Sequence, residues 1–156
     1  MNIKEQIQIL INQFNAKNFS HVILKAKQLQ KKNPGYEILY NLLGSSFLNL
    51  NQFENAKIYF KEGLKLEPNN IALLNNLGMT YKNLLEYKLA TEIFLEIINK
   101  NSSYVNAYVN LGNLKRDINK FEDAINLYQK ALKLDKKNPI IFYCLALAYQ
   151  GLGKFE

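Results

Sequence analysis

The chain has no tryptophan, a single cysteine, a single histidine and only three prolines among its 156 residues. One cysteine, Cys144, excludes an intramolecular disulfide framework and a cysteine-based zinc site, and it fits a reducing compartment. One histidine, His21, excludes a His-Glu-x-x-His motif, and neither a Ser/His/Asp order nor a glycine-rich phosphate loop appears. The longest apolar run, from Ile140 to Tyr149, is about half of what a membrane-spanning helix needs. The first residues, Met1-Asn2-Ile3-Lys4-Glu5-Gln6, put polar and charged groups where a secretory signal needs an apolar core. A cytoplasmic chain with no membrane contact is expected, and neither cofactor nor metal site is expected.

What is present is a chain that is 48% hydrophobic and 21% charged, with a net charge of +7. That is too apolar for disorder and of the right length for one domain of ordinary size. The excess base is nearly all lysine, with Arg116 the only arginine. The lysines read as dispersed, without an arginine-rich stripe or a nucleic-acid-binding signature, so a solvated basic surface is expected and a nucleic-acid partner is not.

One period dominates. Gly44, Gly78 and Gly112 recur at a spacing of 34, each preceded by a leucine, Leu43, Leu77 and Leu111. Phe19, Phe53, Tyr87, Phe121 and Phe155 form a second series on the same grid. Ala56, Ala90 and Ala124 form a third, Phe60, Phe94 and Tyr128 a fourth, and Pro34 and Pro68 fall in register. Within a unit the apolar spacing is helical: Tyr40, Leu43, Phe47 and Leu50 step by three or four, and Phe53, Ala56, Phe60 and Leu64 resume after Asn51-Gln52. Each unit is thus a helical hairpin, an A helix and a B helix, with Pro68 ending the second B helix. A glycine inside a helix costs about 1 kcal/mol relative to alanine. Its recurrence implies close approach of two helices, as between Gly78 and Ala90, with Leu77, Tyr81 and Phe94 filling the surroundings.

This pattern of Leu-Gly, Tyr, Phe/Tyr-x-x-Ala, Phe/Tyr and Pro resembles the tetratricopeptide repeat over essentially the whole chain. The resemblance implies an all-α, right-handed α-solenoid of about four repeats plus a terminal helix. The units are placed at 3–36, 37–70, 71–104, 105–138 and a partial 139–156, forming a single domain over 1–156. Gln6, Leu10 and Gln13 depart from the repeat pattern, so the first unit is read as an N-terminal cap. Lys115 stands where Phe47, Tyr81 and Tyr149 are aromatic, so looser packing is expected in the fourth unit. Ser102 and Lys136 occupy the proline positions. The helix from Pro139 to Leu152 is apolar nearly all round and expects cover on more than one side. That suggests either a fragment of a longer protein or self-association through 139–152.

No chemical groups converge as an enzyme would need. His21 is read as a surface or packing residue, and Cys144 as a packing one. Glu54, Glu62, Glu86, Glu122 and Asp123 are read as helix-start or polar-face carboxylates. The resemblance places function on the concave face, lined by positions 2, 5, 6, 9 and 12 of each A helix. These are Asn41 and Ser45 in the second unit, Asn75, Asn76 and Lys82 in the third, and Asn106, Asn110, Asn113 and Arg116 in the fourth. The fifth offers Ile140, Tyr143, Cys144 and Leu147. A side-chain amide donates and accepts, so a ladder of them can hold an extended peptide by its backbone. Asn76 and Asn110, each in Asn-Leu-Gly, are similar to the groove asparagines of O-linked N-acetylglucosamine transferase-type arrays.

Asparagine is also about one residue in seven of this chain, so some would face inward by composition alone. The carboxylate clamp of the same family needs cations at three positions. Asn41, Ser45, Asn76, Asn106 and Asn110 stand in the five clamp positions, so chaperone-tail binding in that mode is not expected. The expected function is a non-catalytic protein-interaction scaffold that binds an extended peptide or partner helix. The alternative is the repeat region of a larger glycosyltransferase- or sulfotransferase-type enzyme.

Overall fold

The computed structural model describes residues 2–153, so Phe155, the last of the aromatic series, lies outside the described residues. Nine α-helices and no strands form among them. The A helices are α1 (Ile3–Asn15), α3 (Glu37–Asn49), α5 (Ile71–Asn83), α7 (Val105–Asp117) and α9 (Pro139–Gly151). The B helices are α2 (Phe19–Lys32), α4 (Phe53–Leu66), α6 (Tyr87–Lys100) and α8 (Phe121–Leu134). This is the all-α array of helical hairpins that the period of 34 predicts.

Local chemistry sets the helix ends. Asn2 and Glu5 form a capping box at α1, while the Asn70 and Asn138 side chains accept from the backbone N–H of Leu73 and Ile140. Every A-to-B turn places its residue at the same grid position in the left-handed region. These residues are Lys17, Asn51, Leu85 and Asn119, with φ of 61°, 58°, 62° and 59°, and Gly153 at 67°. The turns close as Schellman motifs: Asn18, Gln52 and Lys120 donate backbone N–H bonds of 2.8–3.0 Å to the carbonyls of Gln13, Phe47 and Lys115. The B-to-A connections share a different tether. Tyr40 donates its hydroxyl to the Pro34 carbonyl at 3.0 Å, and Tyr108 donates to the Ser102 carbonyl at 3.1 Å. The second B helix ends at Leu66, just before Glu67-Pro68 as expected, but proline is not required to stop a B helix. Asn101 and Asp135 adopt the same extended backbone as Asn33 and Glu67, and only the latter two precede prolines.

Tertiary contacts group the chain into two compact units, residues 1–84 and 85–156. In the first, α1 through α5 pack each on the next, and A helices also touch the A helix of the following repeat. Its buried cluster includes Ile7, Leu10, Val22, Ala26, Leu29, Leu39, Leu42 and Leu43. Phe47 stacks on Tyr59 at 5.4 Å between centroids, and Lys27 Nζ sits 5.2 Å from the Phe47 ring. In the second unit Ala124, Ile125, Tyr128, Ala131, Ile141, Cys144 and Ala148 form the corresponding cluster between α8 and α9.

Glycines on the A helices seat aromatic rings. A Cβ at Gly44 would stand 2.5 Å from the Phe60 ring, and one at Gly112 would stand 2.5 Å from the Tyr128 ring. The aromatic of the B helix therefore lies flush on the A-helix backbone. The first repeat inverts this pair, with Leu10 for the glycine and Ala26 for the ring, both buried. The looser packing expected of the fourth repeat from Lys115 is not found: α7 packs on α8 about as extensively as α3 does on α4. The Gly112–Tyr128 contact holds the pair together, and Lys115 is half-buried, its stem available to cover apolar surface.

Two outcomes follow. Gly44→Leu should destabilise the protein by about 1–3 kcal/mol through overpacking. Adding Phe60→Ala should recover part of that loss, giving a favourable coupling in a urea-denaturation double-mutant cycle. Leu85→Gly should raise stability by about 0.5–1 kcal/mol, because the turn's positive φ penalises leucine, and thermal melts would show it.

Candidate functional site

The expected groove residues sit on the A helices, and each unit holds its own set. In the first unit, Asn76 on α5 donates its amide N–H to Asn41 Oδ1 on α3 at 2.9 Å and to Ser45 Oγ at 3.3 Å. Ser45 Oγ in turn donates to Asn41 Oδ1 at 3.4 Å. Asn41, Ser45 and Asn76 are all half-buried, so this network lies at the edge of solvent. Among the described residues, it leaves the Asn41 side-chain N–H groups and the Asn76 side-chain Oδ1 without a partner. Asn75 differs from its neighbour: it is 7% exposed and aims its amide at Met79 Sδ, 3.7 Å away. Adjacent helix positions are about 100° apart, so the two asparagines face different surroundings. Lys82, in the last turn of α5, is half-buried.

In the second unit Asn106 is exposed, and Asn110, Asn113 and Arg116 are half-buried. Asn113 is committed to packing. Its Oδ1 accepts from the buried Tyr128 hydroxyl at 2.7 Å and from Cys144 Sγ at 3.5 Å. Burial pushes the Tyr128 hydroxyl above the ordinary tyrosine range, with the Arg116 charge pulling the other way. Burial likewise raises the Cys144 thiol, opposed by Arg116. Cys144 is thus a neutral, buried packing group, as expected of it. Arg116 lies 3.5 Å from the Asp117 carboxylate, a long contact between partly exposed groups that contributes little.

The same rule operates in both units. Repeat position 9 meets position 6 of the next repeat, as Ser45 with Asn76 and Asn113 with Cys144. The expected amide ladder is therefore partly a set of ties between repeats. Other predicted features are peripheral. Glu54 and Glu62 pair with Lys57 and Lys65 on their own helix. On α9, Ile140, Phe142, Tyr143 and Tyr149 are exposed while Ile141, Cys144 and Ala148 are buried. Among the described residues, no group of three or more His, Cys, Asp or Glu side chains could hold a metal ion. Among them also, no helix is long and apolar enough to cross a membrane.

One feature escaped the reading of the sequence. A cavity of about 370 Å³ opens between α1 and α2, and His21, Lys25 and Lys32 line it. Counting charge by repeat would have pointed there, since residues 1–36 hold six lysines and one acid.

Stacked helical hairpins with polar A-helix faces define a repeat scaffold that presents surfaces. Two repeat families match. "Tetratricopeptide repeat" covers residues 38–70 and "TPR repeat" covers residues 112–153. The chain is a tetratricopeptide-repeat protein. Its fold is similar to that of MamA from Desulfovibrio magneticus RS-1, with a TM-score of 0.81 and 20% identity over 97% of this chain and 85% of that one. A second MamA structure gives a TM-score of 0.79 and 21% identity over 99% and 86% of the two chains. YrrB, described as a TPR protein with an unusual peptide-binding site, gives 0.72 and 16% identity over 97% and 78%. No curated protein matches the chain significantly in sequence.

Asn113→Ala should cost about 1–3 kcal/mol by stripping the acceptor from the buried Tyr128 hydroxyl. Combining it with Tyr128→Phe should cost less than the two single losses added together, as measured by urea denaturation.

Proposed function

We propose that this protein is a non-catalytic scaffold, one domain over 1–156 acting in the cytoplasm, that binds an extended segment of a partner protein on its A-helix faces. The observation that carries the reading is the Asn41–Ser45–Asn76 network. Three polar side chains bind one another and leave a donor on one of them, the Asn41 side-chain N–H, and an acceptor on another, the Asn76 Oδ1. That pair complements the C=O and N–H of a peptide backbone without reading its side chains. The network also holds the two amides in place before a ligand arrives, which lowers the cost of binding. In the second unit Asn106 and Asn110 supply amides of the same kind and Arg116 a charged donor, while Asn113 is held by the Tyr128 hydroxyl. Lys82 and Arg116 favour acidic groups in the bound segment. YrrB, of the same fold, has a peptide-binding site by its description, which supports a peptide as the ligand class. The exposed apolar side of α9, with Ile140, Phe142 and Tyr143, is the surface we assign to self-association.

The test is affinity capture from the source cell's lysate with the wild-type chain and an Asn41→Ala/Asn76→Ala variant, read by mass spectrometry. Circular dichroism would first establish that both are equally folded. Proteins retained by the wild type and lost by the variant are the expected result. Equal capture by both would reject the amide pair as the binding element.

A further inference from the structure

We propose that the groove between α1 and α2 is a docking site for a partner helix with an apolar stripe flanked by carboxylates. The groove has a structural origin. In the repeats that carry glycine on the A helix, the B-helix aromatic fills the space between the pair, as Phe60 does on Gly44 and Tyr128 on Gly112. The first repeat has Leu10 and Ala26 instead, both buried, and α1 packs less extensively on α2 than α3 does on α4. The cavity between these two helices, about 370 Å³, has an apolar floor of Leu10 and Leu29, both buried, and Ile9, which is 46% exposed, with the Gln6 and Gln28 amides beside it. An apolar lining open to solvent favours an apolar occupant.

The rim selects the sign of the occupant's charge. His21, Lys25 and Lys32 also line the cavity, spaced four and seven residues apart, so they share one face of α2. That helix carries no acidic residue. The sole acid of the first thirty-six residues, Glu5, is engaged with Asn2 in the α1 capping box, and no carboxylate lines the groove. Six lysines against one acid give this repeat most of the chain's excess of positive charge. Lys27, on the same helix, points elsewhere, onto the Phe47 ring.

The span from His21 to Lys32 is roughly 16 Å, or three turns of a helix laid beside it. A helix fits a trough between two helices by presenting residues at i, i+3, i+4 and i+7 to the floor. Glutamates on one flank then meet the α2 cations. A single-stranded nucleic acid is the poorer fit: the groove has aliphatic walls where base stacking needs aromatic ones, and no arginine. This site is separate from the Asn41–Asn76 network, and its test does not depend on that reading.

The experiment uses the full chain and fluorescence anisotropy with two labelled synthetic helices of about five turns. Both carry a leucine stripe; glutamates flank it in one and lysines in the other. The glutamate helix should bind at least about fivefold more tightly, the preference should invert in Lys25→Glu/Lys32→Glu, and Ile9→Asp should weaken both. All three substituted side chains are exposed at the surface, and circular dichroism and thermal melts should show the variants folded. Asn41→Ala/Asn76→Ala should leave this binding unchanged. Equal affinity for both helices, a preference that survives the charge reversal, or binding undiminished by Ile9→Asp would overturn the proposal. So would tight binding of oligouridylate that ignores Ile9→Asp, or sedimentation showing that the groove is filled by a second copy of the chain.

Discussion

The contact on which each regular hairpin depends is an aromatic ring laid against the bare backbone of a glycine. A ring at Phe60 or Tyr128 occupies the volume where any other residue at Gly44 or Gly112 would carry its Cβ. This close approach brings two amphipathic helices near enough to bury Leu39, Leu43, Leu111 and Leu114 almost completely. The glycine's intrinsic cost to the helix, about 1 kcal/mol, is offset by burial of a whole aromatic side chain on the partner helix. The left-handed turn between the helices serves the same contact, because the Schellman motif reverses the chain within a few residues.

Once hairpins are held this way, stacking them requires polar side chains on the A helices to find partners across the repeat boundary. Ser45 with Asn76, and Asn113 with Cys144 across the boundary and Tyr128 within its own hairpin, show two solutions. Where the neighbours are themselves hydroxyl or amide groups at the solvent edge, some hydrogen-bonding capacity is left over. Where the neighbour is a buried phenol, the acceptor is taken up by the core. The same grid position therefore joins a network at the solvent edge in one repeat and the packing of a buried phenol in another.

The fold was legible in the sequence because its determinants are periodic. Helix ends, hairpin turns and the Gly–aromatic pairing all recur at 34 residues, so several repeats report each of them. The site was legible only in outline. The family resemblance put Asn75, Asn76 and Asn113 together on one inward face, but the orientation of one hairpin on the next decides which are buried. Asn75 is enclosed and Asn113 is held by Tyr128, and neither fact has a periodic signature. The packing around Lys115 was misjudged for the opposite reason: one substituted position was weighed more heavily than the intact glycine–ring contact beside it. The α1–α2 groove was hidden because a net charge taken over the whole chain conceals how unevenly the repeats share it.

The inverted pair of the first repeat constrains how such an array can change over generations. Leu10 is buried with Ala26, and Gly44 is packed against the Phe60 ring, and the halves of the two pairs are not interchangeable. A genetic crossover in the turn between an A and a B helix would join leucine to phenylalanine, which cannot fit, or glycine to alanine, which leaves a hollow. A crossover between whole hairpins keeps every pair intact. Duplication and loss of repeats are thus tolerated at hairpin boundaries, and the unit that inheritance can shuffle is the hairpin as a whole.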